Sequence, residues 1–266
     1  MPEPSIRSAP AISIVVPTYN ERARIAELVG AVFEVFRAHD LDGELVVVDD
    51  NSPDGTGAVV DALVARHDGR LQVVHRAGKL GLGTAVMEGF HAAGASVLGV
   101  MDADFSHPPA AVMALLRVLR AHEADAAIGS RYIPGGGVRN WPASRLLLSK
   151  AACLLARPLT PVRDATSGLF LVRREAIEGV AIAAGGFKIC LELLIRGRVA
   201  SVVETPYVFT DRAVGESKMT MREAVGYLRQ LGQLYAVHFL GRGGRRRPHY
   251  RREASETSAL QGHGLP

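Results

Sequence analysis

The chain has 266 residues, of which 48% are hydrophobic and 22% charged, a balance typical of globular proteins. Its formal charge of +4 depends on six arginines within residues 242–252, without which it would be −2, so the body lacks a basic nucleic-acid-binding surface and we expect no nucleic-acid partner. The two cysteines are far apart in the sequence, which argues against a disulfide framework or a zinc site and favours a reducing compartment. The N-terminal residues lack a signal-peptide segment, and the sequence has no apolar run long enough for a membrane span.

Secondary structure is predicted from the spacing of apolar residues. Apolar, β-branched runs predict strands at 12–16, 44–48, 71–74, 96–101, 125–129, 168–172 and 201–209. Amphipathic spacing predicts helices at 21–38, 54–67, 107–122, 142–158 and 220–240. Ser106 is the predicted N-cap of the third helix, and Pro108 and Pro109 suit its first turn. The alternation predicts an α/β fold with a mostly parallel sheet covered on both faces.

Polar and glycine-rich segments follow the first five predicted strands: PTYNE, DDNSPDGT, HRAGKLGLGTA, DADFSHPP and SRYIPGGG. Each alone is compatible with a turn or a helix cap, and GKLGLGTA fits neither the dinucleotide-binding nor the P-loop pattern. Ligands of parallel sheets bind beyond the carboxyl ends of the strands. The convergence of these segments at one edge therefore predicts a ligand site.

Asp102 and Asp104 give the clearest chemical signal. In an extended chain they and Ser106 would share one face. Two close carboxylates repel unless a cation lies beside them, and a small set of hard oxygen ligands suits Mg²⁺ or Mn²⁺. Solvated loop acids, one capping the next helix, are the alternative. A divalent ion can neutralise a departing diphosphate, so the chain is predicted to bind a nucleoside-diphosphate compound.

The motifs VVPTYNE, VVDDNSPDGT, GKLGLGTA and DAD resemble glycosyltransferase family two, whose members have the GT-A fold. More narrowly, VMDADFSHPP, IGSRYIPGGGVRNWPASRLLLSK, DATSGLFLVRR, GFKICLELL and RAVGESK resemble the polyprenol-phosphate (dolichol-phosphate) mannose synthases. The resemblance covers about residues 12–218. It implies an inverting enzyme that moves mannose from GDP-mannose to the phosphate of a polyprenol lipid with Mg²⁺ or Mn²⁺.

The resemblance also implies roles for individual residues. Those expected at the nucleotide are Pro17, Tyr19, Glu21, Val48, Asp50, Lys79, Asp102 and Ala103. The metal ligands would be Asp102, Asp104 and Ser106. The catalytic set would be Asp102, Asp104, Arg131, Arg145, Arg212 and Lys218, in which Arg131 faces sugar or phosphate and the other cations face phosphates. A phosphate monoester is already charged, so no general base is required, and His107 is either a base or a residue held by local hydrogen bonds.

Four regions are expected along the chain: a flexible N-terminus (1–11), a GT-A catalytic domain (12–218), a C-terminal amphipathic helix (219–240) and an arginine-rich disordered tail (241–266). Helix 142–158 has a wide apolar face with basic edges, which suits either the core or a membrane interface. A polybasic stretch after the last helix favours an anionic surface. We therefore expect a peripheral protein at the cytoplasmic face of the membrane. The sequence does not decide whether it also needs a membrane-embedded partner protein.

Two alternatives to mannose transfer remain. Sugar identity rests on few contacts, so UDP-glucose or UDP-N-acetylglucosamine is an alternative donor. A non-catalytic nucleotide-binding module is the other alternative, against which the intact DAD motif and the retained Arg131, Arg145, Arg212 and Lys218 argue. A dehydrogenase-type dinucleotide binder is disfavoured because no GxGxxG follows the first strand.

Overall fold

The computed structural model describes residues 8–180, 188–211, 221–240 and 248–253. The strands are β1 (Ile12–Thr18), β2 (Gly43–Asp49), β3 (Leu71–His75), β4 (Val97–Val100), β5 (Ala126–Ser130), β6 (Gly137–Arg139), β7 (Phe170–Arg173), β8 (Ser201–Pro206), β9 (Val208–Thr210) and β10 (His249–Arg252). The helices are α1 (Arg22–Ala38), α2 (Thr56–Val64), α3 (Leu82–Ala92), α4 (Ala111–Ala121), α5 (Ala143–Ala156), α6 (Arg174–Ile177), α7 (Ile189–Arg196) and α8 (Met221–Leu240).

Eight strands form one sheet in the order β10-β8-β5-β7-β4-β1-β2-β3. Strand β7 runs antiparallel to both of its neighbours, and the other pairs are parallel. Strands β6 and β9 form a separate parallel pair. The predicted α/β architecture with a mostly parallel sheet is confirmed, and the parallel strands place the carboxyl ends of β1, β2, β4 and β5 at one edge.

Both faces of the sheet are covered, because side chains alternate along each strand. In β1, Val15 packs in the cluster that contains α3, α5, α7 and α8, whereas Ile14 and Val16 pack with α1, α2 and α4. The cysteines, Cys153 and Cys190, are both buried and unpaired, and Cys190 belongs to the first cluster. The two layers of helices leave the strand ends accessible for a ligand site.

Helices α3, α6 and α7 were not among those predicted from the sequence, and α6 has only four residues. Helix α3 contains glycines that suggest a loop, yet a Cβ at Gly89 would lie 2.4 Å from Val15 Cγ1. Glycine therefore allows close approach of this helix to β1. Helix α7 has only eight residues and is buried except at Arg196, so its apolar run is too short for spacing alone to distinguish a helix from a buried strand.

The start of one helix and the extent of one strand differ from the prediction. Helix α4 begins at Ala111 with Ala110 as its N-cap, so Ser106 is not the cap, and Pro108 and Pro109 lie in the preceding turn. The strand predicted at 201–209 divides into β8 and β9, which belong to different sheets.

The C-terminal segment also differs from the prediction. Residues 249–252, expected in a disordered tail, form β10 parallel to β8, with Tyr250 opposite Val202. The arginines at 242–247 and residues 254–266 lie outside the described residues. At the other end of the chain, Pro10 is buried and the Ala11 N–H donates to the Asp42 carbonyl.

Candidate functional site

The loops after β1 and β2 are joined by hydrogen bonds. The Asn20 N–H donates to Ser52 Oγ at 3.0 Å, and the Glu21 N–H donates to Thr56 Oγ1 at 2.9 Å. The buried Asp49 carboxylate accepts the Ser52 N–H at 3.0 Å. The PTYNE and NSPDGT segments therefore form one continuous rim beside the strand ends.

The predicted nucleotide-binding residues lie on or beside this rim. Lys79 Nζ lies 4.1 Å from the ring centroid of Tyr19, which is 37% exposed, a cation–π contact. Asp50 is buried in an ion pair with Arg76. Val48 is fully buried, and the half-buried Pro17 lies opposite it on β1.

The DAD motif forms a turn after β4 instead of continuing it. Phe105 has a φ of 62°, and Asp104 Oδ1 accepts the Ser106 N–H at 3.0 Å. The expectation of an extended chain with three side chains on one face is therefore wrong. Asp102 is 40% exposed in its side chain, whereas Ala103, Asp104 and Ser106 are buried.

His107 is held by a local hydrogen bond. The Asp102 N–H donates to His107 Nδ1 at 3.0 Å, so Nδ1 is an acceptor and the ring is neutral. Burial lowers the pKa of His107, against the opposing effect of Asp102 and Asp104. The Asp102 carboxylate lies 3.7 Å from Nδ1, but a ring nitrogen without a proton makes no ion pair there. The local-hydrogen-bond interpretation of His107 is favoured over a general base.

The oxygen atoms of this turn suit a small, hard cation. Within the described ranges, no group of three or more His, Cys, Asp and Glu side chains is arranged as a metal cluster. The carboxylates of Asp102 and Asp104, which are separated by one residue, instead suit an ion that completes its coordination shell with water and phosphate oxygens. The buried Ser106 hydroxyl has no hydrogen-bond partner among these residues, so it is an additional oxygen beside the pair.

A cavity of about 310 Å³ opens next to the DAD turn. Three cationic side chains, Arg131, Arg145 and Lys188, share its wall with Asp102. Polar and aromatic groups complete the lining, among them Ser149, Thr166, Ser167, Trp141, Phe209 and Tyr227. These cationic side chains supply N–H donors of the kind that bind an anion.

Arg131 is fixed in this wall by Asp164. Nε donates to one carboxylate oxygen at 2.7 Å and Nη2 to the other at 2.6 Å, while the Arg131 backbone N–H donates to Asp164 Oδ2 at 2.9 Å. Burial alone would lower the pKa of Arg131, but the charge and hydrogen bonds of Asp164 raise it. The guanidinium is therefore charged and held in one orientation, with Nη1 not used for Asp164.

Arg145 reaches the cavity from the first turns of α5. Its guanidinium pairs with Asp211, and its Cζ lies 4.3 Å from the Trp141 ring centroid. Trp141 in turn meets Phe209 edge to face at 5.2 Å. Trp141 of the NWP segment thus supports Arg145 at the rim of the cavity. The other two predicted cations, Arg212 and Lys218, lie outside the described residues.

Lys188 is a cavity residue that the sequence did not single out. It immediately precedes α7 and lines the cavity. Burial lowers its pKa, as does the charge of Arg131, whereas Asp102 opposes the change. The signal in the sequence was a lysine directly before an apolar run in GFKICLELL, a place where an unpaired charge is costly unless it serves a ligand.

Helix α5 separates this cavity from an apolar surface. Ala152 and Cys153 of α5 are buried, whereas Leu147 and Leu154 are 71% and 70% exposed. Leu148 and Leu155 are also exposed. The Tyr227 hydroxyl of α8 donates to the Ala152 carbonyl at 2.7 Å, which attaches α8 to α5. Val225 and Leu228 add exposed apolar residues from α8, so an anion site and an apolar surface share one helix.

Comparisons with known proteins agree with this architecture. A family model described as "Glycosyl transferase family 2" matches residues 13–180. A polyprenol monophosphomannose synthase of Mycolicibacterium smegmatis is 43% identical over 83% of this chain and 86% of its own. A dolichol-phosphate mannosyltransferase of Pyrococcus furiosus is 40% identical over 84% of this chain, which spans only 63% of that relative's length. A mannosyltransferase of Pyrobaculum calidifontis, solved with GDP-mannose and Mn²⁺, superposes with a TM-score of 0.57 at 19% identity over 86% of this chain and 64% of its own.

Proposed function

The chain belongs to glycosyl transferase family 2, and from this premise we propose that it is an inverting, GT-A-fold enzyme that transfers mannose from GDP-mannose to the phosphate of a polyprenol lipid. The mannose and polyprenyl-phosphate assignments are supported by the dolichol-phosphate mannosyltransferase that is 40% identical and the polyprenol monophosphomannose synthase that is 43% identical. UDP-glucose and UDP-N-acetylglucosamine are the alternative donors. The unit that carries the activity is residues 12–218.

One observation carries the proposal: α5 borders a cationic cavity and also exposes leucines. A polyprenyl phosphate has a charged head and an apolar chain, and it needs both surfaces within a few ångströms. Arg145 and Ser149 lie on the cavity side of α5, whereas Leu147 and Leu154 are exposed to solvent. The phosphate would enter the cavity while the lipid chain lies along the leucines.

The chemistry requires positioned cations more than a base. The acceptor is a phosphate monoester that carries its nucleophilic charge near neutral pH. Arg131, Arg145 and Lys188 would hold it against the repulsion of the donor diphosphate, and the bidentate pair with Asp164 keeps Arg131 oriented before the substrates bind. Neutral, buried His107 takes no proton in this scheme. Arg212 and Lys218 are further phosphate-binding residues on the strength of the resemblance.

A divalent metal is part of the proposal, and Asp102 and Asp104 would hold it, with Ser106 as an additional oxygen. When bound, Mg²⁺ or Mn²⁺ would neutralise the diphosphate as it leaves. The chemistry of the donor set supports this, and a structural neighbour was solved with Mn²⁺. Pro17, Tyr19, Glu21, Val48, Asp50, Lys79 and Ala103 would surround the guanosine and diphosphate.

We also propose that the protein lies at the cytoplasmic face of the membrane. Among the residues that the structure describes, no helix has both the length and the hydropathy of a membrane span. The exposed leucines of α5 and the apolar residues of α8 instead suit peripheral contact. Arginines at 242–247 would add attraction to anionic lipid. A membrane-embedded partner protein is compatible with this arrangement.

The donor assignment is tested by offering the purified protein a panel of labelled sugar nucleotides with a short polyprenyl phosphate and Mg²⁺ or Mn²⁺. We expect lipid-linked product from GDP-mannose, and none after chelation of the metal. Product from UDP-glucose but not from GDP-mannose would contradict the mannose assignment while retaining the enzyme class. Nucleotide binding without turnover of any donor would favour the non-catalytic alternative.

A further inference from the structure

We propose that Glu204 and Tyr250 are positioning residues that hold Arg131 in the cavity through Asp164. They join the C-terminal strand β10 to the cavity wall by a chain of hydrogen bonds. The inference rests on the proposed function only where it assigns Arg131 to the acceptor phosphate. The physical connection itself is independent of which sugar is transferred.

The first link is the loop that carries Asp164. The Asp164 carboxylate receives the Arg131 guanidinium and the Arg131 backbone N–H, so its position determines where the guanidinium lies. Asp164 is 0% exposed. Because both of its oxygens accept from Arg131, a shift of the loop at 163–164 must displace Arg131 or break this pair.

The second link is Glu204 in β8. Its Oε2 accepts the Arg163 N–H at 2.8 Å and its Oε1 accepts the Asp164 N–H at 2.9 Å. Glu204 is fully buried, and within the described ranges no Lys, Arg or His side chain forms an ion pair with it. A buried carboxylate is costly unless donors surround it, so these backbone N–H groups satisfy Glu204 and are in turn fixed by it.

The third link comes from the C-terminal strand. The Tyr250 hydroxyl donates to Glu204 Oε2, the same oxygen that receives the Arg163 N–H. Tyr250 lies opposite Val202 in the parallel pair β8–β10, and Glu204 lies opposite Arg252. Tyr250 therefore supplies a side-chain donor to a carboxylate whose other donors belong to the loop of Asp164. A segment far along the chain thus helps to set the geometry of the cavity.

The decisive experiment uses Tyr250→Phe in the full chain, which keeps the ring and removes the donor. With GDP-mannose saturating, the KM for a short polyprenyl phosphate should rise about two- to tenfold, the usual effect of one lost hydrogen bond. The KM for GDP-mannose should stay unchanged. A purely structural role would lower the active fraction and hence kcat, without changing either KM. An unchanged acceptor KM would overturn the inference.

Ser201→Ala is the matched control. Ser201 lies at the opposite end of the same strand pair, opposite His249, and its hydroxyl bonds to Asp125 rather than to the loop of Asp164. The control should leave both KM values unchanged. An equal rise of the acceptor KM in Ser201→Ala would contradict a specific connection through Glu204.

A second measurement does not depend on turnover. Hydrogen exchange of the backbone N–H groups of Arg163 and Asp164, followed on a peptide spanning 159–168, should be faster in Tyr250→Phe than in the wild type and unchanged in Ser201→Ala. Unaltered exchange in Tyr250→Phe would overturn the inference even if the protein is a mannosyltransferase. Faster exchange in a protein that fails to transfer mannose would retain the connection and reject only the proposed function.

A double-mutant cycle with Glu204→Gln identifies the route. The amide would place a donor where one carboxylate oxygen now accepts: either Oε1, which receives the Asp164 N–H, or Oε2, which receives the Arg163 N–H and the Tyr250 hydroxyl. If Tyr250 acts through Glu204, the two substitutions should raise the acceptor KM by less than the product of their separate effects. Independent effects would contradict this route. If Glu204→Gln does not fold, Tyr250→Phe and the exchange measurement still decide the question.

Discussion

Replacing exposed leucines of α5 should detach the protein from lipid without unfolding it. Leu147 and Leu154 are 71% and 70% exposed, so Leu147→Ser/Leu154→Ser removes little core packing. Full burial of a leucine contributes about 1.5–3 kcal/mol. About seven-tenths of that for each residue gives about 2–4 kcal/mol for the pair, or about 30- to 900-fold in membrane partitioning, and an interfacial helix favours the lower end.

The assay is co-sedimentation with vesicles that contain anionic lipid, run beside turnover on a short, water-soluble polyprenyl phosphate. The apparent affinity for the vesicles should fall by at least about 30-fold, whereas turnover on the short acceptor and the thermal midpoint should change little. Leu80→Ser is the matched control, since Leu80 is 57% exposed but lies between β3 and α3. Unchanged vesicle binding in the double variant, or an equal loss in the control, would refute the assignment of α5 to the membrane.

Three further predictions concern the cavity. Asp104→Asn should abolish turnover while circular dichroism stays unchanged, and full activity would exclude Asp104 from metal binding. Arg131→Lys should lower kcat/KM by about 10- to 100-fold because lysine cannot make the bidentate pair with Asp164. The control Arg139→Lys, at an exposed position of β6, should have no effect. Equal losses of kcat/KM in the two variants would argue against a specific role of Arg131. Lys188→Met should remove a pH dependence of the free energy of unfolding. Burial lowers the Lys188 pKa, so between that lowered value and the usual lysine pKa the unfolded chain binds more protons than the folded protein. In this pH range the free energy of unfolding of the wild type therefore rises with pH relative to that of the variant. Denaturant unfolding at pH 7 and pH 10 measures the difference, and parallel curves would contradict it.

Local patterns in the sequence predicted much of the sheet and part of the cavity. Each of the seven predicted runs overlaps a strand of the structure, because an apolar, β-branched run is a local property. Asp102 could be placed near a ligand because it follows a strand end, whereas Arg145 was assigned only through the family resemblance; both line the cavity. Helix α3 was missed because Gly89, which fits closely against Val15, suggests a loop when sequence alone is considered.

The supporting residues could not be predicted, because their partners are distant in the chain. Asp164 is 33 residues from Arg131, and Glu204 is 40 residues from Asp164. Each looks like an ordinary charge in a strand or loop, and only the order of strands brings them together. Lys188 has the same character: its function depends on burial beside Arg131, which no local spacing encodes. The turn at Phe105 likewise depends on tertiary contacts, such as the bond from Arg24 Nη1 to the Asp104 carbonyl at 3.2 Å.

A lipid phosphate is the nucleophile of the proposed reaction, and mass spectrometry of the reaction product tests this directly. The full chain is incubated with GDP-mannose, a divalent metal and either a short polyprenyl phosphate or the same polyprenol without phosphate. We predict one hexose attached through the phosphate of the phosphorylated lipid and no product with the free alcohol. Equal transfer to both lipids would contradict the central role of the cationic cavity.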